Sequence, residues 1–260
     1  MKQSKIVDLM VVLVLPMVVF LCTFLGSVEI NYLESILLFF ALPSLYLSLR
    51  ARRKVGRTFL FSVAISIPMA LIVELIAFWD KAWVVPQSMF SIRFFGFIPI
   101  EDFLWQFFTV FTILIFYEYF IRGQTPGGSS RKMFFVFGFI YLVAVVVSIL
   151  FINQSILLHI GYPYLWFGIF FFAIPVILFL LKRSDFFVNF LKVQLFFLYI
   201  HTLFELVGVK FGHWLYPSAH YVGWITLVGQ RFPLEEMLFV MFIGAFAACT
   251  YYEYLTNDYF

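Results

Sequence analysis

Eight apolar runs, roughly 7–28, 30–49, 58–80, 100–121, 133–153, 157–181, 189–210 and 233–254, leave the chain few places to go. Each is about 20 residues long, the length that carries a helix across some 30 Å of hydrocarbon at 1.5 Å per residue. With 64% of residues apolar and only 12% charged, a water-soluble fold would lack the polar surface to cover its own interior. The spacing therefore predicts an all-α integral membrane protein with eight spans. The first run follows Lys2 and Lys5 but exceeds the roughly 7–15 residues of a signal-peptide core, so it reads as an uncleaved span.

Charge placement sets an orientation. Of the seventeen Lys and Arg, only Lys81, Arg93, Lys210 and Arg231 fall on one side of the predicted layer. Cytoplasmic loops carry the positive excess, so both termini are expected inside a cell membrane and the loops around 81–99 and 211–232 outside. A net charge of +3, scattered in this way, argues against nucleic-acid binding.

The polar stretch RGQTPGGSSRK splits the chain into 1–122, a linker 123–132, and 133–260. The halves repeat. Glu74, Trp83 and Pro86 correspond to Glu205, Trp214 and Pro217 at a constant offset of 131, with Trp79 as a further aromatic in the first half. A glycine-bearing aromatic loop then leads to Pro99-Ile-Glu101-Asp102 in one half and to Pro233-Leu-Glu235-Glu236 in the other. The closing motifs are Tyr117-Glu118-Tyr119 and Tyr252-Glu253-Tyr254. Four spans per half give both halves the same orientation, related by an expected pseudo-twofold axis along the membrane normal.

Carboxyl groups inside lipid are costly, at about 2.5–3.5 kcal/mol each even on lenient scales, and so they mark function. Apolar burial favours the neutral form of Glu74 or Glu205, whereas a helix N-terminus favours the charged form of Glu101 or Glu235. The first pair are the expected acids and the second the expected bases or cation stabilisers, with either member of each pair open. Asp102 and Glu236, one residue on, are expected to turn about 100° away and to orient the first acids. Glu118 and Glu253 read as an interfacial belt among tyrosines. His201 lies one turn before Glu205 and reads first as a satisfied core histidine, its counterpart being Ala70. Gly208 and Gly212 form a GxxxG packing motif.

Motif absences narrow the chemistry. There is no GxGxxG or GxxxxGK[ST], no histidine box, no lysine in 233–254 for a retinal Schiff base and no DDxxD. Neither a cofactor nor a metal is expected.

The residues Glu74, Trp83, Pro86, PIEDFLW (ending at Trp105), Glu205, Trp214, Pro217 and PLEEMLF resemble the membrane-integral lycopene cyclases, in which two small homologous domains are fused or supplied as two subunits. That resemblance is strongest over 72–119 and 203–254. It implies an intramolecular lyase that closes the ψ ends of lycopene to β rings by acid–base chemistry without net redox. The residues it carries over are Glu74, Pro99, Glu101 and Asp102, and Glu205, Pro233, Glu235 and Glu236. Trp79, Trp83, Trp105, His201 and Trp214 are the expected supporting residues. Partners implied are a polyene in the bilayer, other carotenoid-pathway enzymes and a second copy of the chain. Cyclisation of a different carotenoid or terpene end is the near alternative, and a proton-coupled transporter the distant one.

Overall fold

The structure is a computed structural model that describes residues 2–26, 28–122 and 131–257. Most of the expected linker, 123–130, lies outside them. Among the described residues, eight helices are long and apolar enough to cross a membrane: α1 (Gln3–Leu25), α2 (Tyr32–Arg50), α3 (Arg52–Asp80), α4 (Ile100–Ile121), α5 (Lys132–Ile152), α6 (Pro163–Lys182), α7 (Ser184–Phe211) and α8 (Glu236–Thr256). The third and seventh begin earlier than hydropathy predicts because Arg52–Arg57 and Ser184–Phe187 still wind as helix. The sixth begins later, after a separate short turn at Ile156–Leu158.

Burial separates an inner from an outer set. Two thirds of the apolar window of α7 and of α8 (67%) is buried inside the bundle, against 11% for α5. Helix α3 packs on α4 and α5, α8 on α7, α4 and α6, and α1 lies along α7. The acid-bearing helices α3, α4, α7 and α8 thus come together at the centre.

Five helices contain a π-helical turn, in which the ladder widens by one residue. Two of them absorb prolines. Pro43 and Pro175 lack an N–H and would clash with the preceding turn, and each follows a π turn, Leu37–Ala41 or Gly168–Ala173. A third, Glu236–Met241, opens α8 just where its acid sits. Gln194 of α7 repairs the ladder there: its amide nitrogen donates to Met241 O, and its oxygen accepts from Ala245 N and Phe246 N. Without water to satisfy them, those backbone groups need this partner.

The glycine-bearing loops are not irregular, and the all-α expectation gains two short β-hairpins. One pairs β1 (Arg93–Phe94) with β2 (Ile98–Pro99), the other β3 (Trp224–Leu227) with β4 (Gln230–Pro233). Their turns place Phe95 and Gly96, and Val228 and Gly229, at positive φ. Each hairpin feeds directly into an acid-bearing helix, α4 or α8.

The halves meet reciprocally at both ends of the bundle. At the hairpin end, Val84 and Leu215 form an antiparallel bridge, Val84 N to Leu215 O at 2.9 Å and Leu215 N to Val84 O at 2.8 Å. At the other end, Tyr117 donates to Glu253 and Tyr252 donates to Glu118, each at 2.7 Å. Arg122 sits between the two carboxylates, 2.7 Å from Glu118 and 3.1 Å from Glu253, and Lys54 adds a third contact at 2.9 Å. This corrects the expectation of an interfacial belt: Glu118 and Glu253 are 4% and 1% exposed and belong to a buried ion cluster.

Candidate functional site

One cavity runs between the inner helices, enclosing about 1420 Å³ with the space at its mouth included. From Phe61 to Glu74 it follows α3 for roughly 20 Å. Its walls are aliphatic and aromatic, including Trp83, Trp105, Trp214, Phe171 and Phe204, and no Lys or Arg lines it. Four carboxyl groups do: Glu74, Asp102, Glu205 and Glu236.

Each half contributes a pair. Glu205 accepts from Trp214 Nε1 at 3.1 Å and from the Tyr216 hydroxyl at 2.8 Å. Burial, with Glu205 beside it, pushes the Tyr216 hydroxyl well above its usual range, so it remains a donor. Glu236 bonds to His201 Nε2 at 2.7 Å, and oxygen atoms of Glu205 and Glu236 lie within 4.8 Å of each other and of a His201 nitrogen. In the first half, Trp83 Nε1 donates to Glu74 at 2.8 Å and Tyr32 donates to Asp102 at 3.1 Å. Glu74 and Asp102 are near enough to interact electrostatically.

Glu101 and Glu235 are not in the cavity. Glu101 accepts from Met89 N at 2.7 Å and from Ser88 Oγ, and Glu235 accepts from Val222 N at 2.6 Å. Both pin the loop that precedes their helix. The expected placement of neighbouring acids is therefore reversed, because side chains in a first helical turn lean back toward the N-terminus. The first acid meets the loop and the second, rotated about 100°, meets the cavity.

Other expected site residues divide similarly. Trp83, Trp105 and Trp214 line the cavity; Trp79 instead packs on Phe151 and His159 and borders a separate cleft at the hairpin end. Pro99 and Pro233 end their hairpins at the mouths of α4 and α8. His201 bonds to Glu236 rather than Glu205, and its Nδ1 has no partner. Gly208 serves a ring instead of a helix contact: a Cβ there would lie 2.0 Å from the Trp214 indole. His213, outside the helices, is held neutral by burial and bonds Ser35 and Ile30 O, tying the end of α7 to the start of α2.

No family model, curated protein or solved structure matches this chain.

Three residues of the site were missed by sequence reading: Tyr216, the hydroxyl donor to Glu205, together with Tyr32 and Tyr164. Tyr32, the partner of Asp102, has Tyr164 as its counterpart in the cavity wall. A signal was present: Tyr32 to Tyr164 and Pro43 to Pro175 share one offset of 132. The trio His201, Glu205 and Glu236 is, among the described residues, the one group of donors spaced to hold a metal ion.

Proposed function

We propose that this chain is a membrane-embedded cyclase of a linear polyene, with lycopene as the substrate implied by its resemblance to the membrane-integral cyclases and β rings as the product. The observation that carries the proposal is the arrangement of two carboxyl pairs, one from each half, around a single elongated apolar cavity. In this reading the bundle is inserted with both termini in the cytoplasm, and the halves are related by a pseudo-twofold axis along the bundle. The reciprocal Val84–Leu215 and Tyr117–Glu253/Tyr252–Glu118 contacts support that axis.

The chemistry follows from the setting. Two carboxyl groups side by side against an apolar cavity wall oppose one another's charge, so each pair keeps a proton. The proton-bearing member adds its proton to C2 of the terminal C1=C2 alkene, leaving a tertiary cation at C1. The C5=C6 alkene attacks through C6, moving the cation to C5, and the other carboxylate removes the C6 proton to restore the double bond. C2 and C6 are both bonded to C1, so one pair of neighbouring carboxyls reaches both positions. The indole faces of Trp83, Trp105 and Trp214 stabilise the passing cation by about 0.5–2 kcal/mol each, and the apolar wall keeps out water that would capture it. Glu101 and Glu235 fix the loops over the site. The ligand-spaced trio is read as an acid pair because Trp214 and Tyr216 donate to one oxygen of Glu205 and His201 bonds one oxygen of Glu236.

Expression in a lycopene-accumulating host is expected to yield cyclised carotenoid. Purified protein supplied with lycopene in heavy water is expected to place one deuterium at C2 of each ring, without added cofactor and undiminished by a chelator. Dependence on reduced flavin or on a divalent metal, or deuterium elsewhere on the ring, would overturn the route. A transporter would return the polyene unlabelled.

A further inference from the structure

The cavity has a neighbour whose role the cyclisation scheme leaves open. A cleft of about 1250 Å³, its mouth included, lies at the hairpin end and shares Glu74, Trp83, Val85 and Asp102 with the cavity. Lys81 and Arg93 line it too. Arg93 frames its rim by donating to Val85 O at 3.0 Å and Phe97 O at 2.9 Å.

Two buried polar atoms belong to residues of this cleft and have no partner: Trp79 Nε1 and Asp102 Oδ2. Orphaned buried groups of this kind are ordinarily satisfied by water, provided the space holds it. Here the space is large and rimmed by charge. Glu74, correspondingly, is only half-buried.

The second pair, although His201 beside it also keeps an unpartnered Nδ1, is more closely covered among the described residues. Where the first half has Ala77, the second has Gly208, and the Trp214 indole fills the room that this glycine leaves. Where the first half has Val85, the second has Tyr216, whose hydroxyl closes on Glu205. Glu205 is 2% and Glu236 4% exposed.

We propose that this cleft is the water inlet of the cavity, exchanging protons between the solution on the hairpin side and the Glu74–Asp102 pair, while the Glu205–Glu236 pair is sealed from that side. The proposal rests on the reading of the four acids as proton carriers. Each ring closure takes up one proton at C2 and returns one from C6, so the inlet carries no net flux. It equilibrates the first pair with solvent at once, and the second pair more slowly, by local opening.

Infrared spectroscopy of the protein in lipid tests this without substrate. The carboxylic C=O band that disappears in Glu74→Gln or Asp102→Asn is expected to shift at once on transfer to heavy water. The band lost in Glu205→Gln or Glu236→Gln is expected to lag by about tenfold or more, because exchange there requires local opening. In parallel, Ala77→Cys, in a Cys22→Ser background, is expected to react with a charged, membrane-impermeant thiol reagent applied to the hairpin side. Ala77 is 2% exposed and lines the cleft; Met89→Cys on the open loop serves as positive control and Cys249 as buried reference. Equal exchange of the two pairs, or an unreactive Ala77→Cys beside a reactive Met89→Cys, overturns the inlet. Neither readout involves polyene, so a chain that failed to cyclise lycopene would leave the inlet standing, and a working cyclase would not rescue it.

Discussion

Glu205→Gln is expected to lower ring closure at least about a hundredfold, measured as cyclised pigment per folded protein in a lycopene-accumulating host, because general acid–base catalysis contributes 10²–10⁴. The amide keeps the shape of the acid, and its oxygen still accepts from Trp214 and Tyr216, so the cavity wall stays in place. What goes is the exchangeable proton. Glu236→Gln and Asp102→Asn test the same property from the opposite helices. Glu101→Gln and Glu235→Gln act differently: the bonds from Met89 N and Val222 N persist on an amide oxygen, so these variants are expected to retain most activity. Near-normal pigment from all three cavity variants would mean that the carboxyls serve the fold and not a reaction.

Arg122→Met is expected to destabilise the protein by about 3–5 kcal/mol, the cost of leaving buried charges without their partner. The Arg122 side chain is 4% exposed and holds two carboxylates whose side chains are 5% and 1% exposed. Removing it leaves Glu118 with Lys54 and Glu253 with the Tyr117 hydroxyl and Asn257. Denaturant titration in detergent would read the loss. Adding Glu253→Gln to Arg122→Met is expected to restore part of it, since one uncompensated charge then disappears. A change under about 1 kcal/mol would place the cluster with ordinary surface ion pairs.

Much of this architecture is legible in the sequence because long apolar runs allow so few solutions. A run of twenty apolar residues has to become a helix, and the duplicated Glu, Trp and Pro spacing survives folding as matched indole-to-carboxylate bonds, Trp83 to Glu74 and Trp214 to Glu205. The rest turns on helix phase. Spacing alone placed Glu101 and Asp102 some 100° apart, but which of them meets the cavity depends on how the preceding hairpin enters α4, and the hairpin is a tertiary structure. Gly208 reads as a helix contact until the Trp214 ring, supplied by a loop, is seen lying on it. Glu118 and Glu253 read as surface residues because their partner Arg122 belongs to a helix end that periodicity assigns to water. The π turns, which set the phase of α2, α6 and α8, left only Pro43 and Pro175 as a trace.

The bridge between Val84 and Leu215 joins residues that hold the same place in the two halves, and it does so through backbone atoms alone. A contact of that form is self-complementary: one copy of the unit, meeting another, would make the same two hydrogen bonds. Side chains are exempt from keeping it. Each half can then vary around that joint, and Val85 against Tyr216 and Ala70 against His201 are places where the two sides differ.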